Sequence, residues 1–216
     1  MASNIAVPGK NPGEVYIPAL NKSFKQVELR EDDHFDTVQM PAGAVAAGTE
    51  LTLFRDLTDK SEQHTTLQTS RRIQSGDEAA IFRIGVELPC AIGNTLPSYN
   101  DMRKVVGNAQ LELIFNRRTI TTGPVIKYPA GYGIGGFSDE TGATAFSIGV
   151  PSVAASPTLF VPQQLKDDDD IKGKIRFPSA AWITAAASAA YVAPVLAGSM
   201  LVRVFLHGVM KAPLGR

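Results

Sequence analysis

Residues 108–136 read NAQLELIFNRRTITTGPVIKYPAGYGIGG. The stretch opens on an alternation that puts Leu111, Leu113 and Phe115 on one face and Gln110, Glu112 and Ile114 on the other. A period of two is the mark of a strand with one face in the core. The basic, β-branched segment Arg117–Thr122 follows, and Gly123-Pro124 interrupts it before the short apolar run Val125–Tyr128. The stretch therefore reads as two strands joined at Gly123-Pro124, ending in a loop of four glycines. Gly131, Gly133 and Gly136 have the spacing of a dinucleotide-binding turn. That turn works only when it opens a helix whose N-terminus holds the pyrophosphate, with an acid about 20 residues on. Phe137–Gly142 carries no helical pattern and residues 146–160 contain no acid, so nucleotide binding is set aside.

Further strand signals lie on both sides at short intervals. Upstream they fall at Phe24–Arg30, which ends in the acidic cluster Glu31-Asp32-Asp33, at residues 45–54 and at the β-branched, polar residues 63–74. Residues 79–88 (AAIFRIGVEL) alternate most cleanly, with Phe82, Ile84, Val86 and Leu88 expected on the core face. Downstream they fall at Ala145–Val150, Thr158–Val161 and Met200–Met210. Ser98–Val106 is the best helix candidate, with Ser98 as cap, Asp101 as capping-box acid and Met102, Val105 and Val106 as inner stripe. The alanine-rich segment Ala180–Ala190 predicts a second short helix. Eight or so short strands with turn signals between them, and no long helices, predict an all-β jelly-roll sandwich or barrel with one or two short helices. Residues 1–22, punctuated by Pro8, Gly9, Pro12, Gly13 and Pro18, read as an extended N-terminal arm in which only Glu14–Ile17 suits a strand. Residues 23–216 then form a single barrel domain.

The 216 residues balance 21 basic against 21 acidic side chains, so no global field draws the chain to nucleic acid or to an anionic membrane. The single cysteine, Cys90, allows neither an intrachain disulfide nor a cysteine-based zinc site, and reads as a small buried hydrophobe. The first ten residues lack the basic and apolar regions of a secretory signal, so synthesis in the cytoplasm is expected.

Charge is distributed unevenly. Residues 141–165 and 177–202 carry none, and Ala, Ser, Thr, Gly and Pro replace it. Length alone makes residues 177–202 a candidate span, with Trp182 and Tyr191 as interfacial residues, but Pro178, Pro194, Gly198 and the scarcity of Leu and Ile argue against insertion. Weakly polar, uncharged stretches of this length fit surface covered by other subunits. The arm residues Val15, Tyr16 and Ile17, the loop aromatics Tyr132 and Phe137, and Trp182 and Tyr191 are the candidate assembly contacts.

Asp167-Asp168-Asp169-Asp170 is the most conspicuous charge run. It reads first as a solvated loop neutralised by Lys166, Lys172 and Lys174. Ca²⁺ or an inter-subunit salt bridge is the alternative, although dedicated calcium loops alternate ligands with spacers and this run does not. Of His34, His64 and His207, His34 has Asp36 two residues on, which on a strand puts them on one face, but no third ligand is suggested nearby. No nucleophile elbow, zincin motif or P-loop is present, and no catalytic residue or cofactor is assigned. Arg71-Arg72 and Arg117-Arg118 are too few, and too little interleaved with aromatics, to make a nucleic-acid groove.

The elements NAQLELIFNRRTITTGPVIKYPAGYGIGG and LVRVFLHGVMKAP resemble the jelly-roll structural proteins of icosahedral, tailless bacterial viruses, in particular the single-barrel capsid proteins of those with an internal membrane. The resemblance covers about a quarter of the chain. It implies two four-stranded sheets, self-assembly into capsomers of a virion shell, and other virion proteins and an internal viral membrane as partners. It implies no catalysis and no specific nucleic acid. A virion spike, decoration or carbohydrate-binding β-sandwich shares the same fold signals and would display clustered aromatics, for which Tyr128, Tyr132 and Phe137 are the candidates.

Overall fold

The computed structural model describes residues 7–9, 11–18, 21–25, 29–73, 75, 77–88, 99–129, 158–177 and 195–211. In chain order the strands are β1 (Val7–Pro8), β2 (Glu14–Ile17), β3 (Lys22–Lys25), β4 (Leu29–Met40), β5 (Gly43–Ala44), β6 (Glu50–Leu53) and β7 (Glu78–Glu87). Helix α1 (Tyr99–Asn108) follows, then β8 (Gln110–Phe115), β9 (Arg118–Pro124) and a 3-10 turn at Val125–Lys127. The chain closes with β10 (Thr158–Lys166), β11 (Ile171–Arg176), β12 (Val195–Leu196) and β13 (Met200–Lys211).

The expected all-β architecture is what these strands build. Two four-stranded antiparallel sheets, ordered β10-β7-β13-β4 and β6-β11-β8-β9, face one another across a common apolar core. Alternation places each inner face. Leu111, Leu113 and Phe115 of β8 and Ile171 and Ile175 of β11 meet Ile84 and Val86 of β7 and Val202, Val204 and Leu206 of β13. Each such side chain contributes about 1.5–3 kcal/mol by leaving water. At one end α1 closes the core with the expected stripe of Met102, Val105 and Val106.

Four sequence expectations change. The strand break falls at Asn116-Arg117, not at Gly123-Pro124. Both residues take left-handed φ, 49° and 68°, so they form the two-residue turn that suits a right-twisted hairpin, and Phe115 pairs with Arg118. Gly123 lies inside β9, where a Cβ would come within 3.1 Å of the Tyr128 hydroxyl.

The acidic cluster Glu31-Asp32-Asp33 does not end a strand. It lies within β4, which pairs with β13 over twelve residues.

Residues 63–73, the described part of the expected strand 63–74, form none. Held by isolated bridges at Asp36–Thr65 and Thr69–Arg72, they belong to the long connection from β6 to β7, which climbs the outer edge of β4. There the Phe35 amide donates to the Thr66 hydroxyl at 2.9 Å, and the Thr66 amide to the Phe35 carbonyl at 3.1 Å.

Phe82 does not share the core face of Ile84 and Val86. Both neighbours of β7 skip it: β13 steps from Arg83 to Ile81 between His207 and Gly208, and β10 makes the same step between Thr158 and Gln163. This bulge reverses the alternation, turning Ala79 and Ile81 into the main core and Ala80 and Phe82 onto the outer face. Gly208 permits the close crossing, because a Cβ there would overlap the Ala80 carbonyl.

The reversed face explains the N-terminal segment. β1, β2 and β3 form a three-stranded antiparallel meander, and Ile17 and Phe24 bury themselves against Ala80 and Phe82 in a second apolar cluster. Lys22 adds an ion pair to Glu78 at 2.6 Å, and the Gln164 amide donates to the same carboxylate.

Candidate assembly surface

The strand order sorts every connection to one of two ends. The connections β4–β6, β7–β8, β9–β10 and β11–β13 leave and re-enter at the end that α1 closes; β6–β7, β8–β9 and β10–β11 lie at the other. Among the described residues the first group comprises residues 41–49, α1, 125–129 and 195–199, and its charges are Asp101, Arg103, Lys104 and Lys127. The second group, residues 54–77, 116–117 and 167–170, carries thirteen charges in thirty residues. The sandwich therefore has a sparsely charged end and a densely charged end.

At the sparsely charged end the described loop surface around β5 and β12 is small and apolar. Pro41, Ala42, Ala44, Ala46, Ala47 and Gly48 are exposed, and Ile126 and Val195 are 65% and 57% exposed. The backbone beneath them is fixed. β5 pairs with β12 through Val195–Ala44 and Leu196–Gly43, and Val45 and Leu196 plug the core. Asp101, expected as the capping-box acid to Ser98, which lies outside the described residues, works between elements. Its buried carboxylate accepts from the Ala197 and Gly198 amides at 2.8 and 3.2 Å and from Lys104 at 3.2 Å. Lys104 also donates to the Val195 carbonyl at 2.7 Å. Just below, on the outer face of the β6-β11-β8-β9 sheet, Glu50 pairs with Lys174 at 2.7 Å and Arg176 at 2.8 Å, and Arg176 reaches Glu112 at 2.9 Å. The hydrogen bond from Lys174, seconded by Arg176, holds the Glu50 carboxyl below its ordinary range.

The charged end is tied by its own polar groups. Asn116 sits between two hairpin turns: its amide nitrogen donates to Asp169 at 2.5 Å, and its amide oxygen accepts from the Asp170 backbone at 2.8 Å. Asp169 also accepts from the Lys166 amide at 2.8 Å, Asp170 pairs with Lys172 at 2.7 Å, and Ser75 donates to Asp167 at 3.4 Å. The aspartate run thus serves as an internal lock between turns. Among the described residues no group of three or more His, Cys, Asp or Glu is placed to hold a metal ion.

The sheet edges are also closed or interrupted. The β6–β7 connection covers β4, β10 carries Pro162 within its irregular stretch, β9 is bulged at Ile120, and β6 has four residues. Pro, bulges and short length are the devices that stop edge-to-edge pairing.

Of the candidate contacts, Ile17 is buried within its own chain, and Val15 and Tyr16 are half-buried in the meander, with the Tyr16 hydroxyl donating to Asn21 at 2.7 Å. Tyr132, Phe137, Trp182 and Tyr191 lie outside the described residues, as do Cys90, Ala145–Val150 and Ala180–Ala190. No helix among the described residues is long and apolar enough to cross a membrane.

Two polar groupings went unforeseen. Asp36, fully buried on β4, accepts from Lys60 at 2.7 and 2.8 Å and from the Phe54 amide at 2.6 Å, which binds the β6–β7 connection to the sheet. An inward acid on an apolar strand face was the available signal, although Lys60, 24 residues away, could not be paired with it from spacing. On the outer face, Arg203 lies 4.8 Å over the Phe35 ring and donates to Thr37, Glu87 and the Gln63 carbonyl. His207 stacks on Phe205 and pairs with Asp33 at 2.8 Å. This aromatic row is occupied by its own neighbours, which makes it a brace between strands.

The chain matches no protein-family model and no curated protein sequence.

Proposed function

We propose that the chain is a structural protein of a virus shell, a jelly-roll capsid subunit that assembles with copies of itself. The observation that carries this reading is the strand order. Counted over the eight sandwich strands, it runs 1-8-3-6 in one sheet and 2-7-4-5 in the other. Two interleaved Greek keys wind eight strands in this way, and the jelly roll they make is a fold of viral capsid domains. Fold alone does not fix function. The sparsely charged end, with its exposed Ile126 and Val195, and the interrupted sheet edges add support for a building block that meets its neighbours through a chosen surface. On this reading the virion is where the protein resides, its partners are other copies and other virion proteins, and an internal viral membrane is among the surfaces it can meet. The polar groups described above serve the fold, and no catalytic role is assigned to them.

Light scattering and negative-stain electron microscopy of the purified protein test the proposal. Rings, sheets or shells are the expected products. A monodisperse monomer at all concentrations, salts and pH values overturns it.

A further inference from the structure

We infer that two copies of this chain meet at their densely charged ends about a two-fold axis, Arg117 of each against Asp168 of the other. The inference rests on the self-assembly reading and adds one contact and the residues that form it. The surface is built from two turns clamped together. The Asn116 side chain donates to Asp169 at 2.5 Å and accepts from the Asp170 amide at 2.8 Å, and the Asn116 backbone amide donates to the Asp170 carbonyl at 2.9 Å. Arg117 follows Asn116 and Asp168 precedes Asp169, and both are exposed. The other three aspartates are engaged within the chain: Asp167 with Ser75, Asp169 with Asn116, and Asp170 with Lys172. Among the described residues Arg117 and Asp168 make no side-chain hydrogen bond or ion pair, although they lie on adjoining turns. Arg117 also stands where this turn favours glycine. Asn-Gly is the relaxed pair for left-handed φ at both positions, and Arg117 holds φ at 68°. A large side chain kept on a strained backbone points to a use for that side chain.

Charge complementarity identifies the occupant. Residues 54–77, 116–118 and 166–172 carry eight cations and eight anions, so this end has no net field for a polyanion or a polycation. Its other exposed, unpaired groups also have both signs: Arg118 and Lys166 flank the two turns, and Asp59 and Glu62 lie on the β6–β7 connection. A partner must therefore offer both signs, and a second copy offers them in the same arrangement. A two-fold axis beside the turns makes the contact twice, because each residue meets its counterpart in both directions. The Asn116 clamp fixes both backbones before contact, so little ordering is lost on pairing.

The experiment reverses each charge in the full-length chain. Arg117→Glu and Asp168→Lys each set like charges against one another twice across the axis, whereas the double variant restores both pairs with their signs exchanged. An equal mixture of the two single variants restores them as well, between unlike copies. Lys25→Glu, at an exposed site of β3, makes the same charge change as Arg117→Glu away from the contact. Circular dichroism and thermal melting establish that each variant folds. Assembly is followed by light scattering against protein concentration, in about 0.1 M and about 0.5 M NaCl. We expect each single reversal to raise the concentration for half-assembly about tenfold or more in the lower salt and less in the higher. The double variant and the mixture should return to within about threefold of the unmodified chain. Lys25→Glu should leave assembly unchanged and should not rescue Asp168→Lys when mixed with it. Arg117→Gly should melt no lower than the unmodified chain and still assemble less well. Single reversals, or Arg117→Gly, that assemble like the unmodified chain overturn the inference while self-assembly stands. A double variant and mixture that stay impaired overturn it too, as does rescue of Asp168→Lys by Lys25→Glu, which makes net charge the cause. Retained assembly with lost binding of inorganic polyphosphate assigns Arg117 to an anion and also overturns it. Failure of the unmodified protein to assemble removes the proposed function and this inference together.

Discussion

Removing Lys60 tests whether one buried contact holds the long β6–β7 connection on the sandwich. Asp36 is fully buried and the Lys60 side chain is 16% exposed. Lys60→Met leaves a carboxylate inside the protein with only the Phe54 amide to satisfy it, and breaking a buried pair from one side costs about 3–5 kcal/mol. Asp36→Asn keeps an oxygen for the Phe54 amide and strands a lysine that can turn outward, so about 1–2 kcal/mol is expected. In the double variant the neutral amide no longer needs a cation. Its cost should fall short of the sum of the single costs by at least about 1.5 kcal/mol. Asp36→Ala removes both acceptors and should cost about 3–5 kcal/mol. Urea unfolding of the four variants under conditions that keep the chain monomeric, with a shared slope, measures these differences. A loss below about 1 kcal/mol for Lys60→Met, or additive costs in the double variant, refutes the reasoning.

Four further outcomes follow from the same geometry. Gly208→Ala should destabilise by several kcal/mol, on the order of an overpacked core site, because the bulge leaves no room for a Cβ beside Ala80; a change below about 1 kcal/mol in urea melts would contradict the bulge. Phe82→Ala and Phe24→Ala should each cost about 3–5 kcal/mol, and each should raise protease cleavage within residues 1–25, since the meander is held through Phe82; unchanged cleavage would separate the two. Because the folded carboxyl of Glu50 titrates below its ordinary value, its contribution is present at pH above that ordinary value and fades as pH falls through the lowered one. The group is over a third exposed, so Glu50→Gln should flatten the acid limb of the stability profile by no more than about 1 kcal/mol, and an unchanged limb would exclude the pair as its source. Asn116→Ala should loosen the charged end by about 1–3 kcal/mol, whereas EDTA should leave the melting temperature unchanged; a fall with chelator would show that the aspartate run holds a cation.

The sequence by itself determined the class of fold and several of its parts. Alternation in residues 110–115 and 200–210 placed β8 and β13 and their inner faces, because a half-buried strand must alternate every second residue. The stripe Met102, Val105 and Val106 placed α1, and Glu14–Ile17 placed β2. It did not determine where strands stop. The turn at Asn116-Arg117 rests on two left-handed residues of which neither is glycine, so Gly123-Pro124 gave the louder but false signal. It did not reveal β11, because Lys172, Lys174 and Arg176 alternate with Ile171, Gly173 and Ile175 in a run too charged to look like core.

Tertiary structure alone decided the rest. The bulge at Phe82 depends on how β7 meets two neighbours distant in sequence, and it turns an apparent core residue into the dock for the N-terminal meander. Asp36 and Lys60 meet because the β6–β7 connection folds back along β4. The same is true of charge. Along the chain, depletion looks like a difference between two halves; the crossing strand order gathers residues 41–49 with 125–129 and 195–199 and makes it a difference between two ends. Composition sets how many charges a chain carries, but connectivity sets which of them share a surface.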